Sequence, residues 1–81
     1  MKIYDYKGKK NLSGRWIREA RNKKKITQTA LAARVQLEGL LLERDSISRI
    51  EIGTRFVTDY ELKIFAKILE VDVKWLISEE D

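Results

Sequence analysis

Residues 44–51, Arg-Asp-Ser-Ile-Ser-Arg-Ile-Glu, combine two arginines with short polar side chains and two isoleucines. In a helix, Ile47 and Ile50 fall on one face and the polar residues lie on the other. The outward positions are then Arg44, Asp45, Ser48 and Arg49. A guanidinium can donate two parallel hydrogen bonds to O6 and N7 of guanine, and the DNA major groove admits an α-helix. This segment has the chemistry of a base-reading helix, in which Arg44 and Arg49 are the leading base readers.

An amphipathic segment precedes this one. Thr27 and Gln28 begin a helix predicted over 28–38, which buries Leu31 and Val35. The polar helix, predicted around 45–52, stops before Gly53, a residue suited to the left-handed conformation that ends helices. Two helices at a steep angle, the second with a polar face, form the architecture of a helix-turn-helix DNA reader.

The rest of the chain supplies the elements that must hold these two helices. Helical periodicity predicts further helices over 13–24, 59–69 and 73–78, which gives an all-α fold of five helices. Ser13, Thr27, Thr58 and Asp72 are the expected N-caps. Residues 1–10 have no helical period and are expected to be an extended or mobile arm. We divide the chain into a basic N-terminal arm (1–11), one helix-turn-helix domain (12–78) and an acidic tail (79–81).

The pair of helices resembles the Cro/Xre (lambda repressor-like) family of helix-turn-helix DNA-binding domains. The family signature runs TQ-x-x-LA, a turn, then IS-[RK]-[IL]-E-x-G. The matching residues are Thr27, Gln28, Leu31, Ala32, Ile47, Ser48, Arg49, Ile50, Glu51 and Gly53. The resemblance implies base contacts from Arg44, Asp45 and Arg49, with Ser46 and Ser48 beside them. It also implies that Gln28 contacts a phosphate and braces the first side chain of the recognition helix, and that Arg55 contacts a phosphate.

Several of these residues have a second interpretation. Asp45 is either the N-cap of the recognition helix or a base reader that accepts from a cytosine amino group. Arg49 either reads guanine or pairs with Glu51 or Glu43 on the protein surface. Glu51 is expected to form a structural ion pair with Arg18 or Arg21.

The turn between the second and third helices is longer than in the usual family pattern. It brings four leucines close together: Leu37, Leu40, Leu41 and Leu42. These side chains either cover the extended end of the second helix or form a surface for a protein partner or for self-association. Glu70 stands where the family often has glycine, so this residue is expected either to adopt a strained conformation or to end the helix differently.

Composition argues against catalysis. The 81 residues contain no His and no Cys, and no cluster is spaced for a metal, so we expect neither an enzyme nor a cofactor, metal or catalytic site. No apolar run is long enough to span a membrane and there is no signal-peptide pattern, which favours a cytoplasmic protein.

Charge is distributed unevenly along the chain. Residues 1–27 carry ten basic and two acidic side chains, a net charge of +8, whereas residues 56–81 carry three basic and seven acidic side chains, a net charge of −4. A basic front suits a polyanion. For the arm lysines Lys7, Lys9 and Lys10, contacts to the DNA backbone and an unstructured basic tail are equally good interpretations.

These features together predict a sequence-specific, double-stranded DNA-binding protein, a prokaryotic or phage transcriptional regulator of the repressor type. One recognition helix reads half of a typical operator, so we expect a homodimer, formed with or without DNA, on an inverted repeat. The flank Val73, Trp75 and Ile77 is the first expected dimer contact and residues 40–42 the second, although Trp75 could instead close the core. The alternative function is an antitoxin-like or adaptor module that binds a protein through residues 37–42.

Overall fold

The computed structural model describes residues 5–79, in which five α-helices occur and the only strand-like pairing is one isolated bridge. The helices are α1 (Gly14–Lys23), α2 (Gln28–Leu37), α3 (Arg44–Ile52), α4 (Asp59–Leu69) and α5 (Val73–Leu76). The all-α fold of five helices predicted from the sequence is confirmed. α5 is shorter than predicted. Residues 1–4 of the predicted arm and residues 80 and 81 of the predicted tail lie outside the described part.

The core is built around α3. Ile47 and Ile50 have no exposed surface, and they lie in one apolar cluster with Ile17 of α1, Leu31 of α2 and Phe65 of α4. The inward face predicted for α3 is therefore confirmed. Burying such aliphatic and aromatic side chains contributes roughly 1.5–3 kcal/mol each, so this cluster fixes how α3 is turned and which of its side chains remain outside.

Side-chain caps begin three of the helices as predicted. Thr27 accepts from the backbone N–H of Ala30 at 3.0 Å, Thr58 and Glu61 form a capping box, and Asp72 accepts from Lys74. Ser13 is the N-cap residue of α1 as predicted, but its side chain is buried and makes no capping bond. Asn11 takes its place, since its Oδ1 accepts from the N–H of Gly14 at 2.7 Å.

Gly14 of α1 lies against the backbone of α3. A Cβ at this position would overlap the backbone carbonyl oxygen of Ile50. The same carbonyl accepts from Nδ2 of Asn11 at 3.0 Å. The segment that starts α1 therefore also holds the end of α3, and it can do so because residue 14 has no side chain.

The long turn after α2 has an inner and an outer side. Gly39, with φ of +97°, reverses the chain after α2, and the N–H of Leu40 donates to the carbonyl of Val35. Leu40 and Leu42 are buried, which agrees with the interpretation that the turn covers the end of α2. Leu37 and Leu41 are 87% and 95% exposed, so they bury little surface against the other described residues.

Residues 5–10 are folded against the body of the protein, so the prediction of an extended or mobile arm is wrong for them. Tyr6 and Lys9 exchange backbone hydrogen bonds of 2.7 and 3.0 Å across a two-residue turn. Lys10 then donates its backbone N–H to the carbonyl of Gly53 at 2.8 Å. The arm thus packs beside the C-terminal end of α3.

Candidate functional site

The outer face of α3 carries the polar side chains predicted for it. Arg44, Asp45 and Arg49 are exposed, and Ser46 and Ser48 are half-buried. α3 begins at Arg44 with Glu43 as its N-cap residue, so the prediction that Asp45 caps the helix is wrong. Asp45 lies inside the first turn, where its Oδ1 accepts from Nη2 of Arg44 at 3.3 Å. A carboxylate in the first turn is favourable to the helix dipole without capping it.

A buried ion pair lies behind this face. Arg21 donates Nε to Oε2 of Glu51 at 2.7 Å and Nη2 to Oε1 at 3.0 Å. The two side chains are 12% and 2% exposed. The hydrogen bond to Glu51 raises the pKa of Arg21, although burial acts in the opposite direction. The expected structural ion pair of Glu51 is therefore present, and its partner is Arg21.

Gln28 connects this ion pair to the outer face. Its Nε2 donates to Oε1 of Glu51 at 3.0 Å, and its Oε1 accepts from Nη1 of Arg44 at 3.3 Å. A carboxylate can only accept hydrogen bonds, so Glu51 draws the amide nitrogen inward and turns the amide oxygen outward. The outward oxygen then holds the guanidinium of Arg44. The brace expected from the family resemblance is present in this form.

Arg49 lies one turn further along α3. Its Nε donates to the carbonyl of Asp45 in its own helix at 3.4 Å, and no ion pair with Glu43 or Glu51 is among the contacts of the described residues. Thr54 closes the end of the helix, since both its N–H and its hydroxyl donate to the carbonyl of Arg49. The Arg49 guanidinium is thus positioned mainly by its own helix.

Arg55 follows α3 and is more constrained than its surface position suggests. Its Nη1 and Nη2 donate to the two carboxylate oxygens of Glu61 at 3.0 and 3.1 Å, and Nη1 also donates to the carbonyl of Phe56. Burial acts to raise the pKa of Glu61, but hydrogen bonds from Arg55 and from the backbone of Thr58 outweigh it, so that the pKa lies below its usual value. The side chain of Arg55 is 30% exposed.

Asn11 holds this loop, although no motif in the sequence singles it out. Its Nδ2 donates to the carbonyl of Arg55 at 2.8 Å as well as to that of Ile50. Asn11 and Ser13 are both residue types that cap helices. The spacing of residues in the sequence does not show which of the two side chains makes the bond.

The arm places lysines beside the same end of α3. Nζ of Lys9 donates to the carbonyl of Ile52, and Nζ of Lys10 lies 5.1 Å from the ring centre of Phe56. Lys7 instead pairs with Glu79, which also accepts from the hydroxyl of Tyr6. The arm therefore brings basic groups to α3 and is itself attached to the C-terminal end of the described chain.

The predicted dimer residues around α5 are divided between core and surface. The rings of Trp75 and Trp16 have centroids 5.0 Å apart, and Trp75 is half-buried against the core. Val73 and Ile77 are 36% and 45% exposed. A groove of about 380 Å³ opens beside Trp75 between α1, α4 and α5, and it includes no residue of α3.

Within residues 5–79, no group of three or more acidic, histidine or cysteine side chains is arranged to hold a metal ion. No helix among the same residues is long and apolar enough to cross a membrane.

Comparison with known proteins gives one match. A family model described as helix-turn-helix matches residues 17–76, which include all five helices except the first three residues of α1. The searches of curated proteins and of solved structures returned no significant match.

Proposed function

Because the chain belongs to the Cro/C1-type helix-turn-helix family, whose members are DNA-binding domains, we propose that it reads a specific DNA sequence as a repressor-type transcriptional regulator. The observation that carries this proposal is the hydrogen-bonded series from Arg21 through Glu51 and Gln28 to Arg44. A side chain held in this way loses less conformational freedom when it binds a base, which favours one partner over others.

Base reading is assigned to the outer face of α3. In the major groove, Arg44 and Arg49 would each donate two hydrogen bonds to a guanine, with Ser46 and Ser48 as shorter contacts. Asp45 does not cap the helix, and its carboxylate could accept a hydrogen bond from the amino group of a cytosine. Since Asp45 also accepts from Arg44, the two residues would select their bases together.

Phosphate contacts are assigned to the elements that flank α3. Gln28 lies in the first turn of α2, where free backbone N–H groups suit a phosphate oxygen. Arg55, Lys9 and Lys10 lie beyond the other end of α3. Arg55 is bound to Glu61 at Nη1 and Nη2, so a phosphate contact would use the exposed part of its side chain.

One domain presents one recognition helix, so we assign the operator as an inverted repeat bound by two protomers. The second helix would then enter the groove one DNA turn away, about 34–36 Å along the duplex. Val73 of α5 and Ile77 directly after this helix are exposed, and they are the proposed contact between protomers on DNA. Trp75, which is partly exposed, lies beside them.

Enrichment of random duplexes on the purified protein, followed by gel shifts in a salt series, tests the proposal. We expect an enriched site with dyad symmetry, two protomers per duplex at saturation, and an affinity that falls as salt rises. Recovery of no common sequence would contradict specific reading. An enriched site without symmetry that saturates at one protomer would contradict the paired arrangement alone.

A further inference from the structure

The outer face of α2 is apolar although it lies in solvent. The buried side of this helix consists of Leu31, Ala32 and Val35. On the opposite side, Ala30, Ala33 and Leu37 follow one another at helical spacing. Leu37 is 87% exposed, and Leu41 in the following turn is 95% exposed. A surface helix normally carries polar residues on its outer side, so this face has the composition of a contact surface.

We propose that this outer face of α2, together with Leu41, binds the same face of a second copy of the chain through a two-fold, antiparallel contact. The inference does not rest on DNA binding. It concerns a surface separate from α5, and it would join two protomers whether or not an operator is present.

A large and a small residue on this face complement each other. In an antiparallel pair, Leu37 of one copy would lie over Ala33 of the other, and the midpoint of this pair falls at position 35 of the helix. A two-fold axis there brings each Leu37 to a residue small enough to admit it. Leu41, in the turn after α2, would add a further apolar side chain to the contact.

Charge favours nearly the same arrangement. Arg34 and Glu38 border the apolar face, and the midpoint of this pair is position 36, one residue from the midpoint of Leu37 and Ala33. An axis between positions 35 and 36 therefore brings Arg34 of each copy toward Glu38 of the other. Oε1 of Glu38 accepts from Lys67 at 2.8 Å, and a carboxylate can accept further hydrogen bonds from an arginine. An unrelated partner would have no reason to match both the leucine–alanine and the arginine–glutamate spacing.

The exposed apolar surface is limited to two leucines and two alanines. A stable interface buries about 800 Å² per partner, more than these side chains supply, so the contact should be weak in solution. The contact would be populated more when two protomers are held close together, for example on neighbouring DNA sites, because their effective concentration is then high.

Sedimentation equilibrium of the DNA-free, full chain over a wide concentration range tests the proposal. We expect weak self-association that Leu41→Ser reduces at least about tenfold, because this substitution removes an apolar side chain that would be buried on pairing. Leu41 is almost fully exposed, so the variant should remain folded. Tyr60→Ser, which removes an exposed aromatic ring from α4, is the matched control and should leave the association unchanged.

A charge exchange tests the orientation. Arg34→Glu would place two carboxylates together at each end of the contact and weaken it, and the double variant Arg34→Glu/Glu38→Arg should restore it. The proposal is overturned if the chain remains monomeric at millimolar concentration, if Leu41→Ser associates as strongly as the unsubstituted chain, or if the double variant is no stronger than Arg34→Glu. Because no DNA is present, failure here leaves the proposed base reading untouched.

Discussion

Glu51 of α3 and Arg21 of α1 form a bidentate ion pair, with N–O distances of 2.7 and 3.0 Å, beneath the face that carries Arg44 and Arg49. The remaining guanidinium nitrogen of Arg21 donates to the carbonyl of Ile26, just before α2 begins. This single pair therefore ties together the three helices that position the candidate DNA-binding face. Its carboxylate also fixes the amide of Gln28.

Glu51→Ala should destabilise the fold strongly. The substitution leaves the guanidinium of Arg21 buried without its counter-charge, and removing one partner of a buried pair costs about 3–5 kcal/mol. Chemical denaturation monitored by circular dichroism measures this loss. Glu19→Ala, which removes an exposed carboxylate from α1, is the control and should change the free energy of unfolding by under ~0.5 kcal/mol. Equal, small effects of both substitutions would show that the pair does not hold the helices together.

Acid should weaken the fold through Glu61. Its pKa is lower in the folded chain than in the unfolded chain, so the unfolded chain binds more protons and stability rises with pH across that interval. The contribution is fully present above the unfolded value, roughly pH 4–5, and is lost as the pH falls through the lower folded value.

Unfolding of the unsubstituted chain and of Glu61→Gln, measured at pH 7 and pH 3, checks this dependence. The free energies of unfolding of the two proteins should differ clearly at pH 7 and much less at pH 3. At pH 3, protonation of Glu61 removes the same negative charge that the substitution removes. Asp59→Asn, at an exposed position in the same helical turn, is the control and should show a smaller dependence. A difference that stays constant with pH would contradict the assignment.

Two adjacent lysines at the end of α1 should respond in opposite directions to glycine. Lys25 has a φ of +57°, in the left-handed region, whereas Lys24 has a φ of −81°. Lys25→Gly relieves a strained backbone and should raise the free energy of unfolding by about 1 kcal/mol. Lys24→Gly should lower it by about 0.5–1 kcal/mol, because glycine adds freedom to the unfolded chain and gains nothing in the folded one. Thermal melts that move in the same direction for both variants would contradict this.

Periodicity was sufficient to predict the fold and the outward face of α3. Ile47 and Ile50 are three residues apart between polar neighbours, which leaves one orientation of the helix that buries both. The N-cap at Thr58 could also be predicted, because a cap lies within a single turn and depends on few other contacts.

The contacts between elements could not be predicted in the same way. Arg18 and Arg21 are one helical turn apart, and the choice of Arg21 as the partner of Glu51 depends on how α1 is rotated by the burial of Trp16 and Ile17. The bond from Arg55 to Glu61 depends on the path of a loop that Asn11 holds from a distant part of the chain. The spacing of residues in the sequence does not predict the path of this loop.

The proposed reading of bases by α3 is tested most directly by measuring how Arg49→Ala binds the enriched duplex, the same duplex with each guanine replaced in turn, and a scrambled duplex. Fluorescence anisotropy at fixed salt gives the three sets of affinities. We expect a loss of ~1–3 kcal/mol on the enriched site, loss of discrimination at one G·C pair, and little change on scrambled DNA. An equal loss on enriched and scrambled duplexes, with discrimination intact at every guanine, would contradict base reading by Arg49.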